Sequence, residues 1–391
     1  MEEFKRVFGI KFIMVFTVTV LLNIGLFVYS SSEGKSMSDI RQETHYRQWI
    51  IGELSDMQPE EALEIADIQS DSVIKRKYDE LESEDQTVYS RQLNKIKEQL
   101  EYIIKYPEDI KNIQNNADTL KSFSIFADKN SFTYNNIQKT AKDFKRVEGV
   151  QLYLTDNKAV SGFVTYYYIY YLALVLNVFV LYELFGEREN GMWCIVHTSK
   201  SGRAKLAFNR TMIITASAFI ITGVLFFTTF LTSFILYKTA SINAPIQNIE
   251  SFSRFSLPMS QLQYIIYDFL YSFCAVLTLT AIVWMAFVFI RHRNIAVTVI
   301  AVFMGVEMLL YQKIQSQSVY GIFKQINLIR STYANRGKGT FVVSESNIML
   351  TVTTVLFIAA CTGGILGTVY MRPEQKKSVI ARIADKIWEM Y

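Results

Sequence analysis

Residues 211–237 read TMIITASAFIITGVLFFTTFLTSFILY and contain no charged side chain. As a helix, this block exceeds the roughly 20 apolar residues needed to cross about 30 Å of hydrocarbon. Blocks 12–32, 159–182 and 346–371 are also uncharged, and blocks 264–290 and 294–312 carry one acid each, Asp268 and Glu307. In lipid a helix satisfies its own backbone hydrogen bonds. The sequence therefore predicts an all-α polytopic membrane protein with six transmembrane helices.

The first block follows Lys5, Arg6 and Lys11, as the apolar core of a signal peptide would. It is longer than the roughly 7–15 residues of such a core, and Tyr29 to Ser32 is a weak cleavage sequence. We interpret it as a retained span, with cleavage as the alternative.

The distribution of charge predicts the side of the membrane on which each loop lies. Basic residues are frequent before the first block, in 186–210, between the fourth and fifth blocks and after residue 371, although 313–345 also has five. By the positive-inside rule both termini are cytoplasmic and segment 33–158 is extracellular. That segment has 24 acidic and 18 basic residues, a net charge of −6, against 12 and 22, a net of +10, elsewhere. The total charge of +4 therefore conceals an acidic outer segment and a basic inner rim.

Cysteine usage indicates the type of membrane. Cys194, Cys274 and Cys361 all lie outside segment 33–158, so this extracellular segment cannot form a disulfide. Secreted domains of oxidising compartments commonly rely on disulfides. We therefore predict a multi-pass protein of a bacterial plasma membrane.

Segment 33–158 is predicted to be a helical extracellular domain. Apolar residues recur every three or four positions over 91–104, Pro59 is suited to a first helical turn, and Pro107 predicts a break before a further helix. The full predicted organisation is an interfacial amino-terminal helix 1–11, spans 12–32, 159–185, 211–237, 264–290, 294–312 and 346–371, the domain 33–158, a cytoplasmic loop 186–210, an extracellular loop 313–345 and a cytoplasmic tail 372–391.

The motifs of common enzymes are absent from the sequence. His45, His197 and His292 are too dispersed for a metal site, and neither a Gly-x-Ser-x-Gly elbow nor a Cys-x-x-Cys pair occurs. Gly34-Lys35-Ser36 has Tyr29 where a phosphate-binding loop needs glycine. We expect no catalytic residue, no metal ligand and no bound cofactor in this chain, and therefore not an enzyme.

Four residues within the predicted spans are candidates for a substrate path: Tyr167, Tyr171, Asp268 and Glu307. A carboxylate in lipid is costly unless it faces water or a partner, so both acids could line a polar path. Alternatively, both lie near the outer head groups, solvated or paired with a neighbouring span. The tyrosines equally suit an aromatic belt at the interface.

The loop 186–210 is the most informative part of the sequence. Glu187-Arg188-Glu189 precedes a predicted turn at Gly191. An amphipathic stretch with Met192, Trp193 and Ile195 then continues to a second predicted turn at Ser201-Gly202. The pattern predicts a compact element that faces the cytosol, with charged residues on either side of its apolar residues.

In these residues the chain resembles the permease subunits of ATP-binding-cassette exporters, specifically the type-two permease family with the type V exporter fold. The matching positions are Glu187-Arg188-Glu189-x-Gly191, Gly202-Arg203 and Arg210. The six spans, the inner termini and the interfacial amino helix are also similar. A large domain between spans one and two resembles a subset found in Firmicute bacteria.

The resemblance implies that this chain pairs with a separate cytoplasmic ATPase subunit, which holds the ATP and Mg, and with a second permease copy in a homo- or heterodimer. It implies export of a peptide or an amphipathic small molecule, contact with membrane lipids, and no nucleic acid. A coupling helix within 187–201 would dock on the ATPase, so we name 186–210 the coupling loop. The residues implied in coupling are Glu187, Arg188, Glu189, Gly191, Met192, Trp193, Ile195 and Arg203.

Three alternatives remain open from the sequence. The charges of the coupling loop could serve only the positive-inside rule and pair locally. The chain could be an ion exporter of the same family, in which Asp268 and Glu307 matter more. It could also be a membrane sensor or immunity protein that does not transport.

Overall fold

The computed structural model describes residues 7–32, 34–66, 72–122, 138, 141–166, 168–188, 200–238, 241–253, 255, 257–290, 292–313 and 342–370. These residues form α-helices and short 3-10 helices, and no strand occurs among them; one isolated bridge joins Pro245 to Ser260. The all-helical prediction is confirmed for this part of the chain.

The helices cover the apolar blocks of the sequence and also form within segment 33–158. In chain order they are α1 Ile10–Ser32, α2 Met37–Leu54, α3 Pro59–Ile65, α4 Val73–Asp79, α5 Ser83–Ser122, α6 Lys158–Thr165, α7 Tyr168–Leu184, α8 Lys200–Tyr237, α9 Gln261–Phe289, α10 Arg293–Lys313 and α11 Val342–Tyr370. Residues 1–6 of the predicted amino-terminal helix, most of loop 313–345 and the tail 372–391 lie outside the described residues.

Three helices, α1, α8 and α9, are long and apolar enough to cross a membrane. The predicted second span is divided: α6 and α7 meet at a bend of 45° and together qualify as a fourth. The apolar parts of α10 and α11 in the described chain, Arg293–Phe303 and Phe357–Tyr370, are shorter. The structure is therefore compatible with a membrane protein, and the count of six spans stays a prediction.

The predicted break at Pro107 is wrong, because α5 continues through this proline. Proline inside a helix removes one hydrogen bond and costs about 3 kcal/mol. Ile103, Tyr106 and Ile110 form one buried stripe on either side of it. Burying Ile103 and Ile110 contributes about 1.5–3 kcal/mol each, which offsets that cost. By contrast, the predicted start of a helix at Pro59 is confirmed, with proline in the first turn.

The predicted turn at Ser201-Gly202 is also wrong. Helix α8 begins at Lys200 and runs without interruption to Tyr237, so its first part occupies sequence that we assigned to the coupling loop. The first four N–H groups of any helix lack an intrahelical partner, so glycine and serine in the first turn break no hydrogen bond.

Two separate hydrophobic cores divide the described chain. One lies between the apolar helices and forms a bundle; the other lies between α2, α3, α4 and α5 and forms a helical domain. In the bundle, α8 is central and packs against α1, α2, α6, α7, α9 and α11. The end of the bundle near Tyr237 contacts the helical domain, and we name it the domain end. We name the opposite end, where α7 ends and α8 begins, the loop end.

A polar seam joins the helical domain to the domain end of the bundle. Arg47 on α2 binds Asp156 with an Nε to Oδ1 distance of 2.9 Å, and the Gln48 amide donates to the backbone carbonyls of Tyr237 and Lys238 at 3.2 and 2.9 Å. The Tyr102 hydroxyl donates to the backbone carbonyl of Gln247 at 2.6 Å. Burial raises the pKa of Tyr102, which keeps this hydroxyl protonated as a donor.

Buried polar side chains inside the bundle bind one another. The Asn23 amide on α1 donates to Thr229 Oγ1 and to the Leu225 carbonyl on α8, at 2.8 and 3.2 Å. The Tyr166 hydroxyl donates to Asn23 Oδ1 at 3.0 Å. Such interhelical hydrogen bonds hold spans together where apolar surfaces have no preference over lipid.

Helices α9 and α11 approach closely because α11 presents glycines to α9. A Cβ added at Gly364 would lie 2.8 Å from the Trp284 ring, and one at Gly367 would lie 2.2 Å from Val288 Cγ1. Gly363 and Gly367 also have the Gly-x-x-x-Gly spacing that lets membrane helices meet at short distance. This spacing is visible in the sequence, but the predictions above did not use it.

We expect Gly367→Ala to lower the thermal unfolding midpoint by several degrees, because overpacking costs about 1–3 kcal/mol. Tryptophan fluorescence of the detergent-purified protein measures this midpoint, since Trp284 lies in the contact. Gly25→Ala on α1 is the control, because nothing lies within 4 Å of a Cβ there. Equal midpoints for the two variants would contradict the described α9–α11 contact.

Candidate coupling site at the loop end of the bundle

The candidate site begins where α7 ends. Helix α7 stops at Leu184, and the chain continues as a 3-10 helix over Phe185–Arg188. Leu184 and Phe185 are both fully buried, whereas Gly186 is half-buried. The base of the coupling loop is therefore packed into the bundle by its apolar residues.

Arg210 is the central side chain of this site. It lies on α8, its residue exposure is 0%, and its Nη2 donates to the Leu184 carbonyl at 3.2 Å. That carbonyl is one of the last of α7, which have no partner within their own helix. The Arg210 guanidinium also lies over the Phe185 ring, with Cζ 4.7 Å from the ring centroid. One buried cation therefore fixes the end of α7 against α8.

The same aromatic ring connects to α9. Phe185 stacks on Phe287 with centroids 5.7 Å apart and an interplanar angle of 27°, so it lies between Arg210 and Phe287. Stacked aromatic pairs contribute about 0.5–1.5 kcal/mol beyond their buried area. The first residue after α7 thus contacts both neighbouring helices.

The start of α10 completes the site. The Arg293 guanidinium lies over the Tyr182 ring at 4.2 Å, and the Tyr182 hydroxyl donates to Asn294 Oδ1 at 3.0 Å. Arg293 also passes beside the chain at Gly186, where a Cβ would lie 3.0 Å from its Nη1. Residues 182–186, at the end of α7, therefore contact α8, α9 and α10.

The predicted coupling residues lie only partly within the described chain. Arg203 is half-buried on α8, two turns before Arg210. Glu187 and Arg188 belong to the 3-10 helix, but their side chains lie outside the described part; Glu189, Gly191, Met192, Trp193 and Ile195 lie outside it altogether. Their roles in coupling stay predictions.

The contributions of Phe185, Phe287 and Arg293 to this site were not predicted from the sequence. Arg293 was counted only as a basic residue of the positive-inside rule, and the phenylalanines were indistinguishable from other apolar residues of their spans. A usable signal was present for the cations, because Arg210 and Arg293 each directly border an apolar block.

The substrate-path candidates are not gathered into one site by the described residues. Asp268 is buried at 3% exposure in α9, one turn before Ser272, which hydrogen-bonds the Tyr170 hydroxyl at 3.0 Å. Whether Asp268 lines a polar path or pairs with a neighbouring helix near the head groups stays a prediction. Tyr171 is half-buried on α7, Tyr167 lies outside the described residues, and the side chain of Glu307 on α10 is likewise not described.

The helical domain contains a cavity of about 890 Å³. Its floor is apolar, with Ile103, Tyr106 and Leu152, and polar residues such as Gln58 and Lys111 surround it. The volume is in the range of small-molecule sites, about 300–1,000 Å³. A second cavity of about 220 Å³ lies at the domain end of the bundle.

No protein-family model matches the chain, and no curated protein and no solved structure shows significant similarity to it. Within the described residues no group of three or more His, Cys, Asp or Glu side chains could hold a metal ion. The described residues thus define a helical protein with three apolar helices able to span a membrane and a buried arginine at the end of α7.

We expect Arg210→Met to lower the thermal midpoint of the purified protein by several degrees. Methionine preserves most of the length of the side chain but leaves the Leu184 carbonyl without its charged donor, at a cost of about 1.5–3 kcal/mol. Lys205→Met is the matched control, since Lys205 is exposed on the same helix. A loss no larger than that of the control would mean that Arg210 does not hold α7 to α8.

Proposed function

We propose that this chain is the transmembrane permease subunit of an ATP-driven exporter that moves a peptide or an amphipathic small molecule out of a bacterial cell. Energy comes from a separate ATPase subunit that docks on the coupling loop. The chain acts with a second permease copy, has six spans and holds both termini in the cytoplasm. The observation that carries the proposal is the convergence of α7, α8, α9 and α10 around Phe185 and Arg210 at the base of this loop.

The length of α8 supports a mechanical role. At 38 residues and about 1.5 Å per residue it measures about 57 Å, well beyond the roughly 30 Å of hydrocarbon. The part that precedes the apolar block, 200–210, extends the helix into the coupling loop. A force on the loop therefore acts directly on a helix that contacts most of the bundle.

The contacts of Arg210 with the end of α7 support the transmission of movement from the loop to the helices. Docking of a partner moves spans only if the loop cannot deform independently of them, because closure is passed on as a tilt of packed helices. Arg210 ties the end of α7 to α8 and Phe185 ties it to α9. With its two ends held in this way, the loop would pass a force to α7, α8 and α9.

The experiment is affinity purification of the tagged full chain from its native membranes, followed by measurement of Mg-ATP hydrolysis in the eluate. We expect the wild-type eluate to hydrolyse ATP and the Glu187→Gln, Glu189→Gln double variant to lose about tenfold or more, because truncating one partner of an interfacial charge pair costs about 2–5 kcal/mol.

Glu64→Gln is the control for this measurement, since it removes one exposed acid from the helical domain at the other end of the molecule. Equal membrane content of all variants establishes that insertion is intact. An ATP-hydrolysing eluate that the double variant leaves unchanged would contradict the coupling assignment.

The cavity of about 890 Å³ in the helical domain favours a second candidate function, a ligand sensor that does not transport. In that case the domain binds the ligand and the seam at Arg47 and Gln48 passes the change to α8. The same purification separates the two functions, because a sensor elutes without ATP hydrolysis.

A further inference from the structure

The cavity at the domain end of the bundle, which we name the head-group cavity, occupies the bend of the divided span. Its volume of about 220 Å³ is several times the roughly 30 Å³ that one water takes up in the liquid. Its lining comes from the end of α1, from α6, from the start of α7 and from the end of α8: Ser30, Ser31, Lys158, Ser161, Gly162, Thr165, Tyr166, Tyr168 and Tyr237.

The bend itself is a feature that membrane proteins use at binding sites. Non-helical backbone at membrane depth is tolerated where it lines a cavity or is buried in protein. Helix α6 ends at Thr165, and Tyr166 has an extended backbone before α7 resumes at Tyr168. Tyr166 therefore lines the cavity from the interruption of the helix, and Thr165 and Tyr168 line it from the two adjoining helix ends.

The described residues around the cavity carry a net positive charge. Lys158 lines it, and none of the other described residues that line it is acidic. Both Lys158 Nζ and Arg47 Cζ lie 5.9 Å from the centroid of the Tyr237 ring, and Asp156 binds Arg47. These two cations and one acid sum to a net charge of +1, which favours an anionic ligand.

The hydroxyl groups supply hydrogen bonds to such a ligand. Ser31 and Ser161 are half-buried lining residues on α1 and α6, and a serine hydroxyl donates readily to a phosphate oxygen. The Tyr237 hydroxyl already donates to the Ser31 carbonyl at 3.1 Å, which holds α8 against α1 at the edge of the cavity.

The position of the cavity indicates the source of the anion. Helices α1 and α8 both end beside it, at Ser32 and Tyr237, which is the depth of lipid head groups for a span. Along the last turns of these helices the apolar side chains Tyr29 and Ile235 are 78% and 75% exposed. A ligand with an anionic head and apolar tails matches both features.

We propose that the head-group cavity binds the phosphate of an anionic phospholipid, with Lys158 as the cation and Ser31 and Ser161 as hydroxyl donors. The apolar tails lie along the exposed faces of α1 and α8. This site goes beyond the proposed function, because binding is measured without ATP and does not require transport.

Native mass spectrometry of the purified full chain tests the proposal, by titration with phosphatidylglycerol, with phosphatidylcholine and with inorganic phosphate alone. We expect phosphatidylglycerol to bind more tightly than the other two probes, and Lys158→Gln to weaken its binding about tenfold, as for loss of a charge-assisted hydrogen bond. Lys238→Gln is the matched control, because Lys238 is exposed, follows Tyr237 directly and does not line the cavity.

A second variant, Gly162→Leu, preserves Lys158 and fills the cavity, since even a Cβ at Gly162 would lie 3.5 Å from the Tyr237 ring. We expect it to weaken phosphatidylglycerol binding as well, with a thermal midpoint close to that of the wild type. Equal effects of Lys158→Gln and Lys238→Gln, or equal binding of phosphatidylcholine, would overturn the proposal. Binding of inorganic phosphate as tight as that of the lipid would also overturn it, because the site would then be one for a free anion.

Discussion

The structure of the bundle depends on one constraint: a polar group among apolar helices must find its partner inside the protein. Arg210 illustrates it most clearly, because a guanidinium with no exposed surface donates to the last carbonyl of α7 and covers the Phe185 ring. Asn23 obeys the same constraint between α1 and α8. These pairings decide which helices are neighbours, since lipid tails are as apolar as the helix surfaces themselves.

Helix α8 connects the two ends of the molecule. Arg210 holds it at the loop end. At the domain end two cations lie over the Tyr237 ring, and the Tyr237 hydroxyl donates to the Ser31 carbonyl. Because α8 is one uninterrupted helix, the contacts at both ends of the molecule belong to the same element. The coupling loop, the seam of the helical domain and the head-group cavity all contact this helix or its ends.

The long apolar blocks were predictable, because charge is excluded from a helix that has to lie among apolar neighbours. Local rules failed at two places, once because tertiary packing outweighed them and once because of the position within the helix. Pro107 lies inside α5 because the buried stripe through Tyr106 compensates for one lost hydrogen bond. Ser201-Gly202 lies inside α8 because the first turn of a helix tolerates both residues. The bend between α6 and α7 had no clear sequence signal, since the block 159–182 contains neither a charge nor a proline.

The sequence by itself determined the all-helical class, the positions of the apolar helices and the acidic character of the segment between the first two of them. These properties follow from the order of apolar and charged residues alone. Only the tertiary structure decided that Phe185, Arg210, Phe287 and Arg293 meet, and that Lys158 and Tyr237 enclose a cavity with Ser31. Such residues come from helices far apart in the chain, so their proximity depends on helix packing and on no local pattern.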